Sequence, residues 1–203
     1  MRAREAAELV LKAAEPVRGG SPSYSPYHVL QALRLASSAT VGRIRLSQAL
    51  GIGEASAKTL IARLKELGLA EASPEGVKAS EKGEEVLRAI EGSVEFSQVS
   101  LPFEGWESAV VATIREVPPP RDLVKVYTIR DKIVREGCEK VIVGGREGGE
   151  TFYPGLPDDV KALIDAGLTS KREGTLIIVP ESCREHLIAA SLRLLSISIE
   201  SRL

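Results

Sequence analysis

This 203-residue chain has no run of about 18 consecutive apolar residues, the length a membrane-spanning helix requires, so no membrane partner is expected. Its opening segment, MRAREAAELVLKAAEPV, mixes charge with alanine where a secretory signal would carry an uninterrupted apolar core; a cytoplasmic protein is expected. Only two cysteines are present, Cys138 and Cys183, without the paired spacing of a zinc site or a redox motif. The two histidines, His28 and His186, have no cysteine or carboxylate at ligand spacing. No metal and no cofactor are therefore expected, and the lack of an assembled acid, base and nucleophile points away from an enzyme. The run GGREGG at 144–149 lacks the Lys-Ser/Thr of a phosphate loop and lies between two strand-like segments, so it reads as a hairpin turn. Asparagine is absent, glutamine occurs three times and methionine once, a thermophile-like avoidance of labile side chains. Two readings of the cysteines stand side by side: buried structural thiols, or the intracellular disulfide that such organisms tolerate.

What is present is most legible between residues 43 and 80, which read as a short helix, a glycine turn, a second helix and a small hairpin. Leu46, Ala49 and Leu50 form one apolar face, Gly51 and Gly53 bracket the turn, and Leu60, Ile61, Leu64 and Leu67 form the next face at helical spacing. That order is the pattern of a winged helix-turn-helix. An amphipathic helix precedes it over residues 3–15, a Pro/Gly/Ser-rich stretch follows, and Pro26 opens a helix with Val29, Leu30 and Leu33 inward. Glu91, Gly92 and Ser93 mark a boundary. Beyond it, strand-like and helix-like segments follow in the order βαββαβ, with a final helix from about Ser182 whose end, Leu195, Ile197 and Ile199, also fits a strand.

The expected fold class is α+β: an N-terminal winged helix-turn-helix domain followed by a βαββαβ, ferredoxin-like sandwich domain with a C-terminal helix, the helices lying on one face of an antiparallel sheet. The expected divisions are an N-terminal helix over 1–20, the winged domain over 21–92 and an α+β domain over 93–203. Charge is uneven in the direction a nucleic-acid partner favours: residues 1–92 hold 13 Lys/Arg against 11 Asp/Glu, and residues 93–203 hold 14 against 17.

In such a motif the second helix enters the major groove, where polar residues reach base edges and flanking cations hold phosphates. Ser56, Lys58, Thr59 and Arg63 occupy the face left after the leucines turn inward, with Arg63 a candidate guanine reader. Arg43 and Arg45, placed just before the first helix of the motif, are candidate backbone clamps, and Lys78 on the wing is a further candidate DNA-binding residue. Lys58, Arg63 and Lys65 also fit an ordinary solvated surface, and Arg43 and Arg45 also fit strand residues beside the wing. Glu71 and Glu75 on the wing oppose contact with phosphate. In the second domain Trp106, Arg121, Arg130 and Asp131 are candidates for a small-molecule site, with Phe103 beside Trp106; surface pairing and core packing are the plainer roles.

Three segments carry a family resemblance: KELGLAE at 65–71, TIRDKIVREGCEKVIV at 128–143 and FYPG at 152–155. With them the whole chain resembles a group of archaeal proteins that join an amino-terminal winged helix to a carboxy-terminal DUF4443 domain. The resemblance implies a predicted transcriptional regulator and carries over no ligand and no catalytic residue. The function expected is thus that of a DNA-binding regulator acting on double-stranded DNA as a homodimer, its second domain serving dimerisation and the sensing of a small-molecule effector. The opening helix or the last helix would supply the dimer interface. Two competing readings are a winged helix that binds protein instead of DNA, and an enzyme housed in the second domain.

Overall fold

The structure is a computed structural model that describes residues 1–16, 23–102 and 105–197. Phe103 and Ile199 lie outside the described residues. The chain forms two compact units, Met1–Gly92 and Ser93–Leu203.

The first unit contains α1 (Ala3–Ala13), α2 (Pro26–Ser38), α3 (Arg43–Leu50), α4 (Glu54–Glu66), the strands β1 (Ala70–Ser73) and β2 (Gly76–Ala79), and α5 (Glu81–Ser93). Local chemistry sets the ends of these helices. Pro26 occupies the first turn of α2, and the Ser25 backbone N–H donates to His28 Nδ1 at 3.0 Å, which gives that histidine a capping role. Ser80 caps α5 by accepting from the Gly83 N–H at 3.1 Å, while its own hydroxyl donates to the Gly68 carbonyl at 2.6 Å. The core is built from one face of each helix: Ala6 and Val10 of α1, Val29, Leu30 and Leu33 of α2, Leu46 and Leu50 of α3, and Ala57, Leu60 and Leu64 of α4 are all buried. Ala49 differs from expectation. It is exposed, and Ser47 turns inward in its place.

Strands β1 and β2 pair antiparallel, with Glu71 opposite Lys78 and Ser73 opposite Gly76. Val41 joins this hairpin by a single isolated bridge: its N–H and C=O bond Val77 at 2.9 and 3.0 Å. Gly76 makes that approach possible, because it has φ +146° and a Cβ there would lie 2.6 Å from the Val41 carbonyl oxygen.

The second unit contains β3 (Val94–Val99), β4 (Ala109–Ile114), α6 (Leu123–Arg135), β5 (Ile142–Glu147), β6 (Glu150–Phe152), α7 (Asp158–Gly167), β7 (Gly174–Pro180) and α8 (Arg184–Ser196), the last preceded by a 3₁₀ turn at Glu181–Cys183. The run from β4 to β7 has the expected βαββαβ order, and β3 adds a fifth strand before it. The sheet order is β3-β4-β7-β5-β6 with every neighbouring pair antiparallel, so β7 lies between β4 and β5. GGREGG forms the end of β5 and the turn into β6, with Glu147 opposite Glu150. Helix α8 continues to Ser196, which makes Leu195 a packed helical residue.

The mixed α+β class stands, but the sheet is not ferredoxin-like, because β7 pairs with both β4 and β5 and the first strand of the βαββαβ run does not pair with the third, and the helices do not share one face of the sheet. Ala109 and Val111 of β4, Ile142 of β5 and Leu176 and Ile178 of β7 join a core with Ile164 of α7, against which Val160 and Leu163 also pack. The intervening residues Val110, Ala112, Val143 and Ile177 are equally buried on the opposite face, where α8 meets β4 and β7 and α6 meets β5. The reason is visible in the strands: AVVATI and TLIIV are nearly continuous apolar runs without polar alternation, and such strands need cover on both sides.

Cys138 and Cys183 form a disulfide with Cα atoms 5.7 Å apart, tying the end of α6 to the start of α8 across 45 residues. Of the two readings open at the cysteines, the bonded one holds. Replacing both cysteines by alanine is expected to lower the stability of the second unit by about 2–5 kcal/mol, because the unfolded chain regains the freedom of that loop. Urea unfolding of the variant against the oxidised parent measures it, with an unchanged midpoint as the contrary result.

Candidate nucleic-acid interface

Helix α4 is the centre of the candidate interface. Its length of 13 residues turns Ala57, Leu60 and Leu64 into the core and leaves Ala55, Lys58, Thr59, Ala62 and Lys65 exposed along one stripe. Ser56 is half-buried at the edge of this stripe. Ala55 and Ala62 keep the stripe shallow, which permits close approach by a flat or convex partner. The Thr59 hydroxyl donates back to the Ala55 carbonyl at 3.0 Å, which leaves its lone pairs outward to accept.

Helix α3 meets α4 across the turn at residues 51–53. The Ser47 hydroxyl donates to the Ile52 carbonyl at 2.7 Å, fixing the turn from within. Arg43 and Arg45 lie in the first turn of α3, not ahead of it as their position before Leu46 suggests. Arg43 spans the motif and pairs with Glu54, the first residue of α4, at 3.0 Å. Arg45 is exposed. Among the described residues Arg45, Lys58 and Lys65 form no ion pair, so their charge is available to a partner.

Arg63 is the main departure from expectation. Its side chain is only 11% exposed. One guanidinium nitrogen donates to Glu66 at 2.8 Å and another to the Lys12 backbone carbonyl at 3.2 Å. Position 63 thus faces α1 and not the exposed stripe, and Arg63 joins α4 to the end of α1. Tyr24 belongs to the same joint, its hydroxyl donating to the Ala13 carbonyl at 3.4 Å. Burial pushes the Tyr24 phenol above its ordinary pKa, with the nearby Arg63 charge opposing.

The wing is electrostatically unlike the helices. Lys78, its one cation, stands directly opposite Glu71 in the strand pairing. Glu75 at the tip is fully exposed, and hydrogen bonds from Ser73 and from its own backbone hold its carboxyl below the usual carboxylate range, so it is charged at neutral pH. The hairpin therefore presents negative charge at its end.

In the second unit the candidate ligand residues do not converge. Trp106 is 6% exposed and packs in the core with Val99, Leu101 and Tyr153. Arg121 pairs with Glu147 and lies 5.0 Å over the Phe152 ring. Arg130 and Asp131 are exposed on α6, because Val126, Ile129 and Ile133 take the inward side. Two candidates escape sequence reasoning altogether: Arg115, which follows the apolar run of β4, and Arg146, which follows the glycines of β5. The one signal for them is that each is the first charged residue after an otherwise uncharged strand segment.

Residues 25–94 match the family model described as the CggR N-terminal DNA binding domain, about a third of the chain. Among solved structures, a hypothetical protein from Pyrococcus horikoshii OT3 is similar over 85% of this chain and 91% of its own, with TM-score 0.59 and 19% sequence identity, a likeness of fold. No curated protein matches the chain.

Replacing Arg63 by alanine removes two hydrogen bonds made by a charged group and is expected to destabilise the first unit by about 1–3 kcal/mol. Amide exchange across α1 would quicken in the variant. Unchanged protection in α1 would show that the joint contributes nothing.

Proposed function

We propose that the chain is a DNA-binding transcriptional regulator that docks α4 in the major groove of a duplex. The observation that carries this reading is the uncovered stripe of α4, with Lys58, Thr59 and Lys65 outward and Arg45 on the adjoining helix. The match of residues 25–94 to a DNA binding domain family supports it. Among the described residues no helix is long and apolar enough to cross a membrane, and action on DNA would place the protein in the cytoplasm. In this reading Thr59 and Ser56 meet base edges or phosphates, Lys58, Lys65 and Arg45 hold phosphates, and Arg43 positions α3 against α4. Lys78 contributes little because Glu71 faces it.

The reading includes a homodimer, since one winged helix covers a short half-site and doubling it multiplies specificity. The opening and last helices commit their apolar faces to their own units: Ala6 and Val10 of α1, and Leu187, Leu192 and Leu195 of α8, are buried. Apolar side chains left outside are found on α6, where Leu123, Val124 and Tyr127 are 46, 75 and 52% exposed. A second copy of α6 is the natural cover for them. The second unit then serves as dimerisation module and effector sensor.

The acidic wing favours a second reading, in which the winged helix binds a protein. Titration against random-sequence duplex separates the two. The DNA reading expects affinity that falls steeply with salt, and a variant carrying both Lys58→Ala and Lys65→Ala should flatten the salt slope by about 1 for each phosphate no longer neutralised. Binding that ignores salt, or no binding at all, would sink it. For the dimer, Val124→Glu is expected to convert dimers to monomers in sedimentation; a parent that is already monomeric refutes that part.

A further inference from the structure

At one end of the five-stranded sheet, Arg115, Arg146 and Gly174 line a cleft of about 360 Å³ together with Pro119, Glu147 and Glu173. We infer that this cleft binds a small anion, a carboxylate or phosphate group, gripped between the guanidinium groups of Arg115 and Arg146. This rests on the sensing part of the function proposed above and gives it a place, but it stands or falls without reference to DNA.

The backbone creates the site. Gly174 begins the middle strand β7 directly opposite Arg146 in the register, and a Cβ on it would lie 3.1 Å from the Arg115 Cα and 2.3 Å from the Ile114 carbonyl oxygen. Gly174 thus lets the backbone at Ile114 and Arg115 close directly on the start of β7, which brings Arg115 beside the strand end that pairs with Arg146.

The pairing pattern shows which charges are free to act. Two carboxylates line the same cleft, yet among the described residues neither Arg115 nor Arg146 forms an ion pair. Glu147 is taken by Arg121 instead. Arg146 donates one nitrogen to the Ser170 carbonyl, which fixes its plane, while its Nε is buried without a hydrogen-bond partner. With Nε enclosed and one terminal nitrogen on Ser170, the remaining N–H groups of Arg146 together with the Arg115 guanidinium are what an oxyanion in the cleft would meet. Glu173 offers an acceptor in the same cleft, so the fitting ligand is a small anion that also carries a hydroxyl donor. The cleft volume, near the lower end for small-molecule sites, agrees with a ligand of that size.

The test is calorimetric titration of the full chain with inorganic phosphate and, separately, with citrate at constant ionic strength. Saturable binding of either is expected, weakened roughly tenfold or more in Arg115→Ala, where an exposed side chain is removed and the fold is kept. Arg146→Lys, which retains charge but loses the fork, should weaken it too. Tighter phosphate binding would assign the ligand to phosphate esters and tighter citrate binding to carboxylates, and both support the cleft. Failure of both anions to bind, or equal binding by parent and Arg115→Ala, overturns it. A duplex-binding measurement on the same preparations reads the regulator hypothesis independently, so the loss of either conclusion leaves the other intact.

Discussion

The arrangement of the first unit depends on one constraint: α4 is packed on two sides and can show only one. Ala57, Leu60 and Leu64 commit one face to the core, and the bond from Arg63 to the Lys12 carbonyl commits a second edge to α1. At about 100° per residue, a helix held in this way exposes a single stripe, and whatever that stripe carries determines what the motif can touch. Lys58, Thr59 and Lys65 are therefore placed by the leucines and by α1 as much as by their own chemistry. A fully buried leucine contributes about 2–5 kcal/mol, and the same packing sets the rotation of the stripe, so core and interface are not separable properties here.

Electrostatics then divides labour within the motif. The stripe and Arg45 carry positive charge that forms no ion pair among the described residues, while Glu71 cancels Lys78 and Glu75 leaves the hairpin tip negative. At physiological salt, exposed charges interact over about 8 Å, so the wing's charge acts on what lies beside it and does little to the helix stripe. A duplex seated on α4 would be held by the helices and merely tolerated, or steered away, by the hairpin. In that geometry the wing would contribute discrimination through repulsion, the kind of device that narrows specificity while weakening affinity.

The element order of both units is legible in the sequence because apolar period and turn residues are local signals. Leu46 to Leu64 at helical spacing and the glycines at 51 and 53 place the two helices of the motif, and the alternation of strands and helices beyond Ser93 places βαββαβ. Arg63 defeats such reasoning for a nonlocal reason: its direction is set by α1, through a carbonyl 51 residues earlier whose position no local pattern encodes. The two-sided sheet does have a signal, since AVVATI and TLIIV lack the polar alternation of a half-exposed strand. The disulfide is open to either reading in sequence because two single cysteines carry no spacing, and only the meeting of α6 with α8 joins them. Trp106, Arg121, Arg130 and Asp131 are neighbours along the chain around the strand-to-helix junction, whereas the sheet gathers Arg115 and Arg146 from strands that a whole helix separates.

An effector seated between those arginines can influence DNA affinity only if it binds two states of the protein unequally; tight but equal binding shifts nothing. The cleft includes Pro119, in the connection that leads from β4 into α6, and α6 begins with the exposed Leu123 and Val124. A ligand that draws Arg115 and this connection toward the sheet end would move the start of α6, and with it the apolar surface offered to a second copy. The disulfide ties the chain just after α6 to the start of α8, so such a movement would be a pivot at the start of the helix and not a slide of the whole. Sensing and dimerisation would then be coupled through one helix, which requires no contact between effector and DNA and places the differential affinity in the monomer-to-dimer equilibrium.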